Sequence, residues 1–413
     1  MCKKSLFLLV FAAASAFAAT RVTITVQNPI KQSRNFEIVE VPLSSITNVL
    51  GTQDDFIITD ADGRELPLQV TCKNTVLFQA SVGGKKKSTY YAIKGSPSQY
   101  ECKVMGRLFT EREDEFGWEN DRVAYRVYGH GAAVGYDLFN KSTSTLMLDY
   151  WYASEQDQEM RSVCKKLRDR GEAELADKLY NAFCYHIDHG QGMDCYTVGS
   201  TLGAGANALA YADGSLLMPK CYESYEIMDD GLLRFSVKFT YPQVEFEGKK
   251  TFETRTITID AGSSFCRVDV RYHLLSDPVS MASGVVVHEN NPTAFFMNAE
   301  AGYLGYEDLG DASVYNQKYR KELAKQMGKI YVGTVYPKSV VSMKYLEGKS
   351  GIVAGHVLAY SQAKPFEDYT YYFGSAWSKN KETGIESLKD WEALLNLQST
   401  LVINPLKITT KGK

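Results

Sequence analysis

One pair of histidines in this sequence has the residue type and spacing that proton transfer requires. His186 and His189 flank Ile187 and Asp188, directly after a stretch with helical spacing. Histidine is the side chain best suited to proton transfer near neutral pH, and loops on a rigid scaffold often carry function. Three interpretations remain open: catalysis or contact with a sugar, a share in a metal site, or a solvated loop. The HxxH spacing alone does not decide, since a third metal ligand would have to come from elsewhere.

A second cluster combines aromatic, acidic and basic side chains around a predicted strand. Trp118 and Glu119 precede the strand, and Arg122 and Arg126 lie four positions apart on it. That spacing predicts that both arginines share one face, where they can bind a carboxylate bidentately. The alternative is that each arginine pairs with nearby acidic residues. Glu119 is also a candidate carboxylate for acid/base chemistry, and Trp118 a candidate sugar contact.

Two further histidines lie in predicted strands nearer the C-terminus. His288 is followed by Glu289 before a turn at Pro292, and a His/Glu pair at a strand end can act as acid and base. A polar turn is the alternative. His356 lies in an apolar strand and is either a core residue or a substrate contact.

An aromatic segment at 371–379 completes the candidate residues. It supplies Tyr372 as a candidate proton donor, with Trp377 and Lys379 as a wall on which a sugar can stack. The glycine-rich segment 198–206 lacks GK[ST] and a surrounding βαβ unit, so it is interpreted as a tight bend and not as a nucleotide loop. GxSxG, HExxH and EF-hand motifs do not occur.

The elements that must position these residues are mostly strands. Period-two alternation appears in Val22, Ile24 and Val26 and recurs in many short runs along the chain, with turn signals such as Asp62-Gly63 between them. Many short strands separated by turns favour a sandwich or barrel over βαβ units. The sequence therefore predicts a mainly β fold, a large antiparallel β-sandwich.

The exception is a helical insertion near 155–183. This segment is charged, has apolar residues at helical spacing, and contains a single glycine, Gly171, which is predicted to separate two helices. Weaker helical patterns occur at 319–327 and 387–397.

The first eighteen residues have the pattern of a secretory signal peptide. Lys3 and Lys4 precede an apolar run and a small-residue site that predicts cleavage after Ala18. The run is shorter than the about 20 residues that a membrane span needs, and no later segment is apolar enough. The protein is therefore expected in the periplasm or the medium, without stable membrane insertion.

Charge limits the expected partners, and cysteine content limits the expected disulfides. Loss of Lys3 and Lys4 takes the formal charge from −3 to −5, and no basic stripe is present, so nucleic acid is not an expected partner. The pairs Cys72–Cys102 and Cys164–Cys184 can form disulfides in an oxidising compartment, with free thiols as the alternative. The expected domains are an N-terminal β module, 19–105, packed on a main domain, 106–413. The number of subunits is left open.

Four segments resemble the family called domain of unknown function 4861. They are WENDRVAYRVY (118–128), DLFNKS (137–142), YHIDHGQGMD…VGSTLGAG (185–205) and YYFGSAWSK (371–379). The first and third are the most specific, and the matches span most of residues 110–380. The resemblance implies export by bacteria that degrade plant polysaccharides, a role beside enzymes acting on pectin and other uronate-containing glycans, and a fold similar to the galactose-mutarotase-like supersandwich. It does not supply a reaction.

Together, the residues and the resemblance predict an exported lyase or hydrolase that acts on uronate-containing oligosaccharides. Arg122 and Arg126 would neutralise the carboxylate, and His186 or His189 would exchange a proton opposite Tyr372 or His356. Hydrolysis by Glu119 and Glu289 is a second possibility. A non-catalytic glycan-binding protein and a sugar epimerase are the alternatives. No cofactor is required, and a divalent metal stays open.

Overall fold

The computed structural model describes residues 20–129, 131, 135–312, 315, 317–337 and 340–412. The predicted signal peptide, 1–18, lies outside these ranges, so export stays a prediction. In the described part of the chain, no helix has both the length and the apolar character needed to cross a bilayer.

Two small sheets and a helix enclose the core of an N-terminal module. The first sheet contains, in spatial order, β27 (Lys407–Gly412), β1 (Arg21–Gln27), β7 (Lys87–Lys94), β3 (Phe56–Thr59) and β4 (Glu65–Leu66). The second contains β2 (Arg34–Pro42), β6 (Thr75–Val82) and β5 (Leu68–Val70), and α1 is Leu43–Leu50. Val22, Ile24 and Val26 all point into the core between them, as their alternation predicts. Because β27 pairs with β1, the C-terminal strand belongs to this module's sheet.

The largest sheet has nine strands. In spatial order it contains β15 (Ser224–Asp230), β16 (Arg234–Thr240), β18 (Lys249–Asp260), β19 (Phe265–His273), β26 (Tyr369–Trp377), β23 (Ile330–Val335), β22 (Tyr303–Asp308) and β21 (Phe295–Asn298), with β17 (Val244–Phe246) paired to β18. Along β18, buried and half-buried residues alternate, so one sheet face packs on the core and the other is polar.

Two five-stranded sheets complete the main core. One contains β14 (Leu216–Leu217), β13 (Asn207–Ala210), β20 (Val279–His288), β25 (Val353–Ala363) and β24 (Ser342–Ser350); the other contains β12 (Gly192–Met193), β11 (Asp137–Lys141), β10 (Ala124–Val127), β9 (Glu115–Asn120) and β8 (Val104–Phe109). Side chains from all three large sheets, such as Tyr125, Val268 and Val285, meet in one core. The predicted mainly β sandwich is confirmed. The division at residue 105 stays a prediction.

Helices lie where the sequence predicts them, with two additions, α1 and the first helix of the insertion, α2. The insertion consists of α2 (Leu148–Glu155), α3 (Gln158–Asp169) and α4 (Ala173–Asn181); the later helices are α5 (Arg320–Met327) and α6 (Leu388–Ile403). Gly171 lies between α3 and α4 with φ +83°, a left-handed conformation that glycine adopts without strain. Helix α2 was not predicted, because its amphipathic pattern is weak.

The glycine-rich segment is a tight bend, as predicted. Gly203 has φ +60°, and a Cβ atom there would lie 2.1 Å from the carbonyl oxygen of Tyr136. Neither of the two candidate disulfides forms, and all seven cysteines of the described chain are free thiols.

Candidate active site

Arg126 lies in a buried ion cluster and not on an open sheet face. Its guanidinium donates to Asp137 Oδ2 at 2.7 and 2.9 Å and to Asp194 Oδ2 at 2.9 Å, and Glu115 Oε2 lies 3.4 Å away. Arg126 and these three carboxylates are all at most 2% exposed. Burial raises the pKa of Glu115 and of Asp137, although the charge of Arg126 acts in the opposite direction. Arg126 therefore has no free donor side for a substrate carboxylate.

Arg122 is separated from Arg126, so the predicted two-arginine grip is wrong. The side-chain oxygen of Asn120 accepts from the backbone N–H groups of Arg122 and Val123, which makes a turn before β10 begins at Ala124. Arg122 is consequently exposed outside the strand while Arg126 is buried within it.

Glu119 and Trp118 are also buried and contact only the protein's own residues in the described structure. Glu119 is fully buried, with Oε2 2.5 Å from Lys141 Nζ and Oε1 accepting from the N–H groups of Met147 and Leu148 at the start of α2. A carboxylate at a helix N-terminus satisfies donors that have no partner within the helix. Trp118 is likewise fully buried, and its ring packs against Tyr136 and cannot stack on a sugar. Both predictions of a substrate-facing role are corrected.

The histidine loop makes mostly internal contacts. His186 Nδ1 lies 2.9 Å from the carbonyl oxygen of Asp194, and the exposed His189 places Nε2 3.2 Å from the carbonyl oxygen of Cys184. Asp188 Oδ1 accepts from the N–H groups of Gly190 and Gly192. Within the described ranges, no three side chains of the types His, Cys, Asp and Glu are grouped so that they could hold a metal ion.

The predicted aromatic wall does not form. Trp377 is buried, and its indole N–H donates to the carbonyl oxygen of Met327 at 2.5 Å. Lys379 pairs with Asp188 at 3.2 Å and donates to the Gln326 carbonyl oxygen at 3.0 Å, so it ties the histidine loop to the sheet. Tyr372 points to the opposite, outer sheet face and lies apart from these residues in a groove that Arg122 also lines. His186, His189, Arg122 and Glu119 therefore do not converge in one cleft.

His288, by contrast, occupies a position suited to proton transfer. It ends β20 at the rim of the sandwich, where its Nδ1 lies 3.1 Å from Asp308 Oδ2 at the end of β22. A carboxylate accepts, so in the neutral imidazole Nδ1 carries the proton and Nε2 carries the lone pair. His288 is 2% exposed, and its Nε2 is buried without a hydrogen-bond partner in the described structure. An oriented imidazole with a free Nε2 is the arrangement of a general base.

Tyr196 provides a second unpartnered group beside this histidine. The two ring centroids are 6.0 Å apart with the rings edge to face, and the buried Tyr196 hydroxyl also has no partner in the described structure. Burial, together with the charges of Asp308 and Asp137, raises the pKa of Tyr196 well above its usual value. The phenol therefore keeps its proton at neutral pH and can act as a donor. Both atoms are shielded from solvent, so a substrate must displace part of the rim to reach them.

His356 lies near this pair and acts as an acceptor. Its Nε2 accepts from the Leu202 N–H at 3.3 Å. Burial, with a smaller contribution from His288, lowers the pKa of His356 to about 4. His356 is therefore neutral at physiological pH and holds the glycine-rich bend.

The lowered pKa of His356 predicts a pH-dependent stability. An unfolded histidine titrates near about 6.5, so between that pH and about 4 the unfolded chain binds more protons than the folded one. The neutral His356 therefore contributes to the stability of the folded state. That contribution is complete above the pKa of the unfolded histidine and is lost as the pH falls towards 4. We measure the free energy of unfolding with urea at pH 7.5 and at pH 4.5. Between these pH values, the free energy of unfolding of the wild type should fall by about 2–3 kcal/mol more than that of His356→Gln, whose amide oxygen can still accept from the Leu202 N–H. An equal loss in both proteins would contradict this.

Two residues of the His288 site were missed in the sequence. Asp308 ends a strand in an acidic pair, and Tyr196 follows directly on the histidine loop. Neither forms a motif with His288, because all three are distant in the sequence and meet only when the rim assembles.

Comparisons with known proteins give matches over nearly the whole chain. A family model described as "Domain of unknown function (DUF4861)" matches residues 26–408. A relative named "Uncharacterized protein P7", from Formosa agariphila, is 23% identical over 410 residues, covering 94% of this chain and 92% of that protein.

Two solved structures were also matched at 8% identity. An alpha-mannosidase from Enterococcus faecalis V583 matches 95% of this chain and 46% of its own, with a TM-score of 0.46. A glycosyl hydrolase family 38 protein from Enterococcus faecalis matches 95% of this chain and 47% of its own, with a TM-score of 0.45. The chain thus spans just under half the length of either protein.

Proposed function

The chain belongs to the DUF4861 family, and we propose that it is an exported carbohydrate-active enzyme in which His288 and Tyr196 perform acid/base chemistry on a uronate-containing oligosaccharide. One observation carries the proposal: two neighbouring buried side chains each have an unpartnered polar atom, and one is oriented by a carboxylate. Buried polar atoms without partners are uncommon in folded proteins, and a catalytic role is one explanation for them. Six other such atoms occur in the described structure, but only His288 and Tyr196 combine two of them with ring contact and an orienting carboxylate. The substrate class comes from the family resemblance, and export from the predicted signal peptide.

The proposed reaction is β-elimination. His288 Nε2 would remove the proton from the carbon next to the uronate carboxylate, and that electron pair would form the new double bond. The bond from the neighbouring carbon to the glycosidic oxygen then breaks, and the Tyr196 hydroxyl would protonate the departing oxygen. Asp308 would stabilise the imidazolium that forms.

Two-carboxylate hydrolysis has less support from the geometry. It needs two available carboxyl groups on either side of the scissile bond. Glu119 is held by Lys141 and the start of α2, while Glu289 is exposed, with Lys349 3.9 Å away. Epimerisation would use the same two groups to remove and return a proton at one carbon without breaking the chain.

The test is incubation of the full mature protein with saturated and with unsaturated uronate oligosaccharides. Elimination predicts rising ultraviolet absorbance from a new unsaturated ring when the substrate is saturated. A loss of absorbance from the unsaturated substrate would instead indicate hydrolysis or hydration of that ring. Measurable affinity without change in any substrate would overturn the enzyme proposal and favour a non-catalytic glycan-binding protein.

A further inference from the structure

A groove lies between the N-terminal module and the outer face of the nine-stranded sheet. Its cavity volume is about 590 Å³, within the range of about 300–1,000 Å³ typical of ligand sites. Segments 34–40 and 71–73 of the N-terminal module form one wall, and side chains of β16, β18, β19 and β26 form the floor. His288 and Tyr196 do not line it.

The floor of the groove carries a row of hydroxyl groups. Thr254, Thr256 and Thr258 alternate along β18 with residues that point into the core, so all three face the groove. Tyr372 lies on the same face, two strands away. Side-chain hydroxyls both donate and accept, which matches the hydroxyl groups of a saccharide.

The wall of the groove carries an exposed aromatic ring on an unusual backbone. Phe36 is 67% exposed and has φ +53°. It lies in a bulge of β2, where Asn35 and Phe36 together oppose Ser81 of β6. A bulky residue in the left-handed region is a genuine outlier inside a strand, and bulges often redirect a side chain at a functional site.

Surrounding contacts fix this bulge to the main sheet. The amide of Gln79 donates both to the Phe36 carbonyl oxygen and to the Ala261 carbonyl oxygen at 3.1 Å, which joins the module to the turn after β18. Arg34 precedes the bulge and Glu37 follows it, and the buried Arg34 forms a bidentate pair with Glu37 across it. These contacts hold the strained backbone of Phe36, whose residue is exposed and lines the groove.

Charge in the groove is only partly compensated by ion pairs. Arg234 pairs with Glu40 and Asp260, and Arg267 pairs with Asp269. Arg122 and Lys73 line the groove, are exposed, and make no ion pair with the described residues. The carboxylate of Asp229 accepts from the Cys72 N–H and the Ser236 hydroxyl and has no ion pair with the described residues either. The Arg122 guanidinium, in a groove with a hydroxyl-lined floor, is suited to a sugar that carries a carboxylate.

We propose that this groove is a second binding site, for a uronate-containing oligosaccharide. Phe36 stacks on a sugar ring, the threonine row binds ring hydroxyls, and Arg122 pairs with a carboxylate. The ligand class rests on the proposed function, whereas the site is separate from His288 and Tyr196.

The experiment measures binding of a galacturonic acid tetramer by calorimetry, in a His288→Asn background so that the ligand is not consumed. Phe36→Asn removes the ring, and asparagine tolerates the left-handed backbone, so the fold is retained. We expect about a tenfold weaker affinity, as for loss of one aromatic contact. The matched control is Phe366→Asn, which removes another exposed phenylalanine with φ +63° that does not line the groove. Its affinity should be unchanged.

A second variant tests the carboxylate contact. Arg122→Gln should weaken binding of the acidic tetramer but leave binding of its carboxyl-reduced form unchanged. Unchanged affinity for the acidic tetramer in Phe36→Asn, or no binding in the His288→Asn background, would overturn the groove proposal. Turnover of the wild type is measured in a separate experiment. A groove that does not bind the tetramer can therefore be distinguished from a protein that does not catalyse the proposed reaction.

Discussion

Replacing Arg126 by alanine is expected to lower the free energy of unfolding by about 3–5 kcal/mol. The change leaves Asp137, Asp194 and Glu115 buried without their shared cation. Removing one partner of a buried ion cluster costs more than the cluster contributes, because the remaining charges stay desolvated. Urea unfolding at neutral pH measures the difference.

Arg122→Ala is the matched control. Arg122 lies four residues earlier and is exposed, without an ion pair to the described residues. Its loss should change the free energy of unfolding by no more than about 0.5 kcal/mol. Similar small effects for both arginines would mean that Arg126 does not hold the three carboxylates together.

Replacing Tyr196 by phenylalanine is expected to separate stability from activity. The buried hydroxyl of Tyr196 has no partner in the described structure, so its removal should leave the unfolding free energy unchanged or slightly raised. If the hydroxyl is the proton donor, turnover should fall by about 10²–10⁴-fold. Thermal unfolding and initial rates on the same preparation measure both.

Tyr371→Phe is the control for loss of a structural hydroxyl group. Tyr371 is also buried, but its hydroxyl donates to the Gly205 carbonyl oxygen at 2.9 Å. Its removal should cost about 1 kcal/mol of stability, with a much smaller effect on turnover. A Tyr196→Phe protein that is less stable yet equally active would assign Tyr196 to the core and not to the reaction.

Local patterns were sufficient for most elements of this fold, but not for α1 and α2. Alternation along β1 and β18 reflects one buried sheet face, and Gly171 marks a helix end because few other residues adopt its backbone conformation. Helix α6 begins at Ser387, whose side chain accepts from the Asp390 N–H in the manner of an N-cap.

The sequence predicts less about the residues of the candidate site than about the elements of the fold. The spacing of Arg122 and Arg126 predicts a shared face only if the strand is continuous, and the turn built by Asn120 breaks it. Glu119 and Trp118 have the residue types of a sugar site, but burial decides their roles, and burial depends on sheets distant in the sequence. His288 was identified as a candidate, whereas Asp308 was not, because nothing local to either residue predicts their contact.

Comparing the turnover of His288→Asn with that of the wild type tests the proposed general base directly. The asparagine amide can donate to Asp308 as Nδ1 does, but it lacks the Nε2 lone pair, so the fold should be retained while the base is lost. With a saturated uronate oligosaccharide, we expect the rate of ultraviolet absorbance increase to fall by about 10²–10⁴-fold. A folded His288→Asn protein that turns over at the wild-type rate would contradict the assignment of His288 as the general base.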